Sequence, residues 1–203
     1  MITNWITKKY NKNASQLTKK FKTAKPYPHL VLHDFFNPAK LEQVRKTLLK
    51  EHFERIDRDL FSFENTKDLA ASKSHVIQEF YHFFSSTEFR KFVEQMTGEK
   101  LGSISDMHGH LFKQGDYLLF HDDLVEQRKI AYVVNLSNGF TSKDGGKFMM
   151  HDIKKPRKPA VVVLPKFNTF VCFKVSTKSL HAVEEVLTDK KRLSIGGWFY
   201  GNQ

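Results

Sequence analysis

Cysteine is almost missing from this chain of 203 residues. Cys172 stands alone, so no internal disulfide can form. That excludes the small disulfide-stapled scaffolds and points to a reducing compartment, the cytoplasm or, in a eukaryote, the nucleus. Long apolar runs are missing too. The longest is Ala160 to Leu164 with Pro165, far short of a membrane span or a signal-peptide core, so no membrane association is expected. Repeats and low-complexity stretches are also lacking, which leaves a single core for a chain of this length. Acidic residues are scarce at the start: Lys8, Lys9, Lys12, Lys19, Lys20, Lys22 and Lys25 all precede the first acid, Asp34, in a chain of net charge +11. Residues 1–24 therefore read as a basic, partly helical leader, and residues 25–203 as one domain. Such a leader either steers the protein toward RNA, a ribosome or another polyanion, or is a solvated tail.

Two rhythms divide the rest. Asn37-Pro38 has the look of a helix cap with proline in the first turn. Leu41, Val44, Leu48 and Leu49 then recur at helical spacing, as do Val76, Phe80 and Phe83, and Phe89, Phe92, Val93 and Met96 before Gly98. From residue 104 short apolar runs replace them: Tyr117 to Phe120, Ile130 to Leu136, Phe148 to Met150, Ala160 to Leu164, Phe170 to Phe173, His181 to Val186 and Leu193 to Tyr200. Lys143-Asp-Gly-Gly146 and Lys166-Phe-Asn-Thr169 stand where hairpin turns are expected. The expected fold is α+β, mainly β: a barrel or jelly roll with a helical layer packed on one face.

Ten histidines among 22 acidic residues give roughly one chance His-x-Asp/Glu match. There are two. His52-Phe-Glu54 falls on an expected helix, where residues two apart face opposite sides and cannot share an ion. His121-Asp122-Asp123 follows the strand Tyr117 to Phe120, where residues two apart share a face and Asp122 points away. Two histidines with one carboxylate leave positions open on iron(II), so a second histidine is needed, and His181, opening a later strand, is the best candidate. Arg192, on the alternating strand Arg192 to Tyr200, presents a fork suited to a dicarboxylate; otherwise it would pair with Glu184 or Glu185.

Gly115-Asp-Tyr-Leu-Leu-Phe-His-Asp-Asp123, Asp144-Gly-Gly146, His181-Ala-Val-Glu-Glu-Val-Leu187 and Arg192-Leu-Ser-Ile-Gly-Gly-Trp-Phe-Tyr-Gly201 together resemble the ribosomal prolyl hydroxylases among the 2-oxoglutarate oxygenases, over about residues 25 to 201. The resemblance implies a double-stranded β-helix of the jelly-roll, cupin-like kind, in which His121, Asp123 and His181 are the catalytic iron ligands and Arg192 holds 2-oxoglutarate. Phe112, Tyr117 and Asn135 join the implied co-substrate pocket, relatives often holding tyrosine where Phe112 and Asn135 stand. Iron(II), 2-oxoglutarate and oxygen are the implied cofactor and co-substrates, with ascorbate as a candidate reductant. The implied reaction releases succinate and carbon dioxide and hydroxylates a prolyl residue of a small-subunit ribosomal protein near the decoding centre. Eukaryotic members usually carry a second, non-catalytic barrel, whereas a single catalytic domain is expected here.

Three other readings compete. A cupin-like site could use His108, His110 and His121, but it leaves Asp123, His181 and Arg192 without roles. The barrel could be a non-catalytic scaffold beside an RNA- or ribosome-binding leader, since fold alone does not establish activity. An oxygenase acting on another protein side chain or on nucleic acid also remains open. Asp144-Gly-Gly-Lys147 lacks the spacing of a phosphate loop, and Cys172, among Phe170, Val171 and Phe173, reads as a small core residue.

Overall fold

A computed structural model describes residues 2–11 and 14–201 of the chain. Among the described residues six α-helices, α1 (Ile2–Trp5), α2 (Lys8–Asn11), α3 (Ala14–Thr23), α4 (Pro38–Leu48), α5 (His75–Ser85) and α6 (Thr87–Thr97), and a short 3-10 turn at Leu69–Ala71 accompany eleven strands. The strands are β1 (His29–His33), β2 (Glu54–Arg58), β3 (Phe61–Asn65), β4 (Ile104–Phe112), β5 (Tyr117–His121), β6 (Arg128–Asn135), β7 (Phe148–His151), β8 (Pro159–Val163), β9 (Thr169–Lys174), β10 (His181–Val183) and β11 (Arg192–Tyr200). Their order is β1-β9-β6-β11-β4-β3-β5-β10-β7-β8, with β2 paired to β3. The first five make a major leaf, β5-β10-β7-β8 a minor leaf, and β3 joins the two by pairing with β4 at one end and β5 at the other. This is the expected double-stranded β-helix. Among the described residues no helix is long and apolar enough to cross a membrane.

The major leaf is buried on both faces, which is why its strands read as near-continuous apolar runs. Tyr132, Val134, Phe170, Cys172, Leu193, Ile195 and Phe199 face the helical layer. Ala131, Val171, Phe173 and Phe112 alternate with them and face the barrel interior. The helices form where the sequence marks them. Asn37 caps α4 by accepting from the amides of Ala39 and Lys40 at 3.1 and 3.2 Å, and Gly98 ends α6 with a φ of 75°, a conformation that glycine adopts without strain.

Four expectations need correction. The leader is not a tail laid on the surface, because Trp5, Ile6, Tyr10 and Phe21 are buried in the principal core. Trp5 stacks on Phe83 at 5.3 Å and meets Phe80 edge-on at 5.4 Å. Trp5→Ala should therefore destabilise the fold by about 3–5 kcal/mol, measurable by urea unfolding. Second, the hairpin β2–β3 lies in the half read as helical. Glu54-Arg-Ile-Asp-Arg58 exposes charge on both faces, so no apolar alternation reveals it.

Third, His52 and Glu54 lie beyond the end of α4, at the entry to β2, and not on a helix; both are solvent-exposed. Fourth, Lys143–Gly146 and Lys166–Thr169 do not close hairpins. Each lies on a connection between leaves, since β6 and β9 pair in the major leaf while β7 and β8 pair in the minor one.

Candidate metal centre and anion pocket

His121 ends β5 and His181 begins β10, and the two are direct cross-strand partners with ring centroids 4.0 Å apart. Asp123 joins them by a route that strand alternation did not foresee. The strand has ended, and the backbone turns through a left-handed conformation at Asp123 (φ 62°), which aspartate tolerates better than most residues. Its Oδ1 then lies 3.5 Å from His121 Nε2 and its Oδ2 3.4 Å from His181 Nε2. The three are the cluster among the described residues whose ligand atoms gather within 4.8 Å. Asp122 turns away and accepts a hydrogen bond from the Leu124 amide at 3.0 Å, while its carbonyl accepts one from Ser179 Oγ at 2.8 Å, tying the two ligand-bearing segments together.

Both histidines are aimed from behind. His121 Nδ1 lies 2.9 Å from the Leu119 carbonyl and His181 Nδ1 2.7 Å from the Ser179 carbonyl. A carbonyl can only accept, so Nδ1 carries the proton and Nε2 turns a lone pair toward the cluster. Burial, with His181 beside it, pushes the His121 pKa down to about 4. Although burial by itself would raise it, Asp123 is held at about 2 by the neighbouring histidines and the Trp198 indole. At neutral pH His121 is thus uncharged and Asp123 ionised, as metal coordination requires.

Trp198, quoted in the C-terminal motif but given no role there, donates from Nε1 to Asp123 Oδ2 at 3.1 Å, and its ring stacks under the Arg128 guanidinium at 3.5 Å. Its signal was the alternation along β11 that also turns Arg192 inward. Trp198→Phe keeps the stacked ring but deletes the N–H. Affinity for a divalent metal, read by calorimetry, should fall by about 10–100-fold, the usual cost of losing a residue that orients a ligand.

Arg192 enters the same cavity, which encloses about 170 Å³ and is walled by Phe63, Phe112, Phe148, Phe173 and Val183. Its side chain is 2% exposed, donates from Nε to the Gly146 carbonyl at 2.9 Å and from one terminal nitrogen to Ser194 Oγ at 3.2 Å, and lies 4.8 Å over the Phe112 ring. No carboxylate among the described residues pairs with it. Glu184 is taken by Lys147 at 2.8 Å, and Glu185 faces solvent. A fully buried cation without a counter-charge is costly, and burial lowers the Arg192 pKa to about 10. The Asp144-Gly-Gly146 motif thereby gains a purpose: Gly146 supplies the carbonyl that aims the guanidinium. At Gly145 an added Cβ would lie 2.0 Å from the Glu185 carbonyl oxygen, an approach only glycine permits.

Tyr117 does not line the cavity. The pairing of β5 with β10 slips between Leu118 and His121, so those two face inward and Tyr117 does not. Phe112 does line it, with only the face and edge of its ring to offer. Asn135 is buried in register with Ser194 but outside the cavity wall; its Nδ2 reaches the Thr169 carbonyl at 3.4 Å and its Oδ1 has no partner. Of the cupin-like trio, His108 is turned to the Thr66 carbonyl at 2.9 Å and stands apart from the metal cluster.

Residues 107–200 match the model of the 2OG-Fe(II) oxygenase superfamily. The chain is 34% identical over 181 residues to a prolyl 3-hydroxylase OGFOD1 of Xenopus laevis, across 87% of this chain and 35% of that one. It is 33% identical over 198 residues to a prolyl 3,4-dihydroxylase OGFOD1 of Ostreococcus tauri, across 86% and 38%. With the prolyl 3-hydroxylase sudestada1 of Drosophila melanogaster the identity is 30% over 217 residues, across 99% and 40%. The chain thus spans little more than a third of the length of these curated relatives. Its fold is shared with a Pseudomonas putida prolyl-4-hydroxylase at a TM-score of 0.76, with 16% identity across 94% of this chain and 100% of that one. A Trichoplax adhaerens prolyl hydroxylase matches at 0.75, with 12% identity across 96% and 93%.

Proposed function

We propose that the chain carries a 2OG-Fe(II) oxygenase domain, as the match over residues 107–200 supports, and that it hydroxylates a prolyl residue of a protein, with His121, Asp123 and His181 holding iron(II) and Arg192 holding 2-oxoglutarate. The observation that carries this reading is a buried guanidinium that no carboxylate among the described residues pairs with, in the same cavity as a two-histidine, one-carboxylate cluster. Bound iron would supply oxygen activation coupled to decarboxylation of the keto acid, which yields succinate and carbon dioxide. The protein groups do the rest. The two backbone carbonyls behind His121 and His181 fix the ligand tautomers, Trp198 orients Asp123, and Arg192 sets the direction from which the dicarboxylate enters. Phe63, Phe148, Phe173 and Val183 keep water from the reacting carbon and suit an uncharged pyrrolidine ring. Ascorbate would be the reductant that keeps the metal ferrous.

The finer reading is that the proline belongs to a small-subunit ribosomal protein near the decoding centre and that the protein works in the cytoplasm. Three curated relatives named for prolyl hydroxylation support the reaction. The exposed Lys19, Lys20, Lys22 and Lys25, on and after α3, support approach to an RNA-rich partner. Intact ribosomes incubated with enzyme, iron(II), 2-oxoglutarate and ascorbate should release succinate and gain about 16 Da, one oxygen atom, on a single prolyl peptide. Release of succinate with the added mass on another side chain or on RNA would overturn the prolyl assignment. Failure of any protein or RNA substrate to stimulate succinate release would favour the non-catalytic ribosome-binding module.

A further inference from the structure

The cavity that holds the metal cluster and Arg192 is also lined by an imidazole with no hydrogen-bond partner among the described residues. His110 of β4 stands in register with Ser194 of β11, one inward-facing pair along from Phe112 and Arg192. Its ring meets Phe63 edge-on at 5.6 Å. On its other side lies Gly196, where an added Cβ would stand 3.0 Å from His110 Cε1, so glycine leaves the ring its space. Neither ring nitrogen of His110 makes a hydrogen bond among the described residues, whereas His29, His33, His108, His121, His151 and His181 each have a partner at Nδ1. Burial first, then His108 and Arg192 nearby, push its pKa down to about 3. It is therefore neutral at physiological pH, with one N–H to donate.

Resting on the reading of this cavity as a 2-oxoglutarate site, we propose that His110 is a co-substrate-binding residue whose ring N–H donates to a carboxylate oxygen of the dicarboxylate clasped by Arg192. The surrounding chemistry calls for such a donor. Phe112 offers Arg192 only a ring face, and Ser194 Oγ already accepts from the guanidinium, so of the two β4 residues in register with Arg192 and Ser194, His110 is the one with a donor for a carboxylate arriving there. A neutral donor beside a buried guanidinium adds a hydrogen bond without a second buried positive charge next to Arg192, with which no carboxylate pairs among the described residues.

The test is calorimetric titration of 2-oxoglutarate into the full chain loaded with redox-silent manganese(II), for wild type, His110→Ala, His110→Phe and His110→Gln. The alanine and phenylalanine variants should bind 2-oxoglutarate about tenfold more weakly, the effect of one charge-assisted hydrogen bond, and glutamine, which keeps an N–H, should recover to within about threefold. Manganese affinity should be unchanged throughout, which separates loss of the donor from damage to the metal cluster. Wild-type affinity in His110→Ala would overturn the assignment, as would equal weakening in His110→Phe and His110→Gln. A wild-type protein that binds manganese but no 2-oxoglutarate would sink the reading of the cavity itself.

Discussion

Replacing His121 with alanine should lower affinity for iron(II) by about a hundredfold or more and abolish succinate formation, because a direct ligand is lost where even supporting residues are worth about 10–100-fold. Asp123→Asn should do the same with less disturbance of the fold, since asparagine also accepts the left-handed backbone at φ 62° while the charge disappears. Asp122→Ala is the control. Its carboxylate caps the Leu124 amide, outside the metal cluster, so turnover should persist with a stability loss of about 0.5–1.5 kcal/mol. Metal titration beside a coupled succinate assay checks all three. Equal loss of metal binding in the Asp122 variant would show that the His121–Asp123 turn is built differently.

Arg192→Met should produce two effects of opposite sign. Affinity for 2-oxoglutarate should fall by roughly thirtyfold to a few thousandfold, corresponding to about 2–5 kcal/mol for truncating one partner of a buried charged pair, with iron affinity spared. The ligand-free variant should nevertheless melt at a higher temperature than wild type, because an uncompensated cation leaves the interior and an apolar chain of similar length replaces it. Saturating 2-oxoglutarate should reverse that order by stabilising only the wild type. Melting curves with and without the ligand report both effects. A variant that melts lower than wild type without ligand would show that the hydrogen bonds to Gly146 and Ser194 outweigh the desolvation cost.

Much of the site was legible because its chemistry depends on residue types at short spacing. His121 and Asp123 stand two apart, and Arg192 opens a strand whose alternation continues through Ser194, Gly196 and Trp198. The elements that escaped were those that show no run of apolar residues. β2 is charged on both sides, and β4 turns His110 and Phe112 toward the cavity, with polar residues and Gly109 interrupting its apolar positions. The packing of the partly helical leader was hidden for the converse reason. Its lysines dominate the composition, yet Trp5, Ile6, Tyr10 and Phe21, spaced among them, are the residues that pack.

From residue order alone came the helical layer, most of the strands, the choice of His121, Asp123, His181 and Arg192, and the chemistry those side chains suit. Tertiary structure alone decided that Asp123 reaches the cluster through a left-handed turn, that a slipped pairing faces Leu118 inward and leaves Tyr117 outside the cavity, and that Arg192 has no acid beside it. The division has one physical cause. Periodicity and donor chemistry are local properties of the chain, whereas a bulge, a counter-charge or an unpartnered imidazole exists only once strands distant in sequence lie side by side.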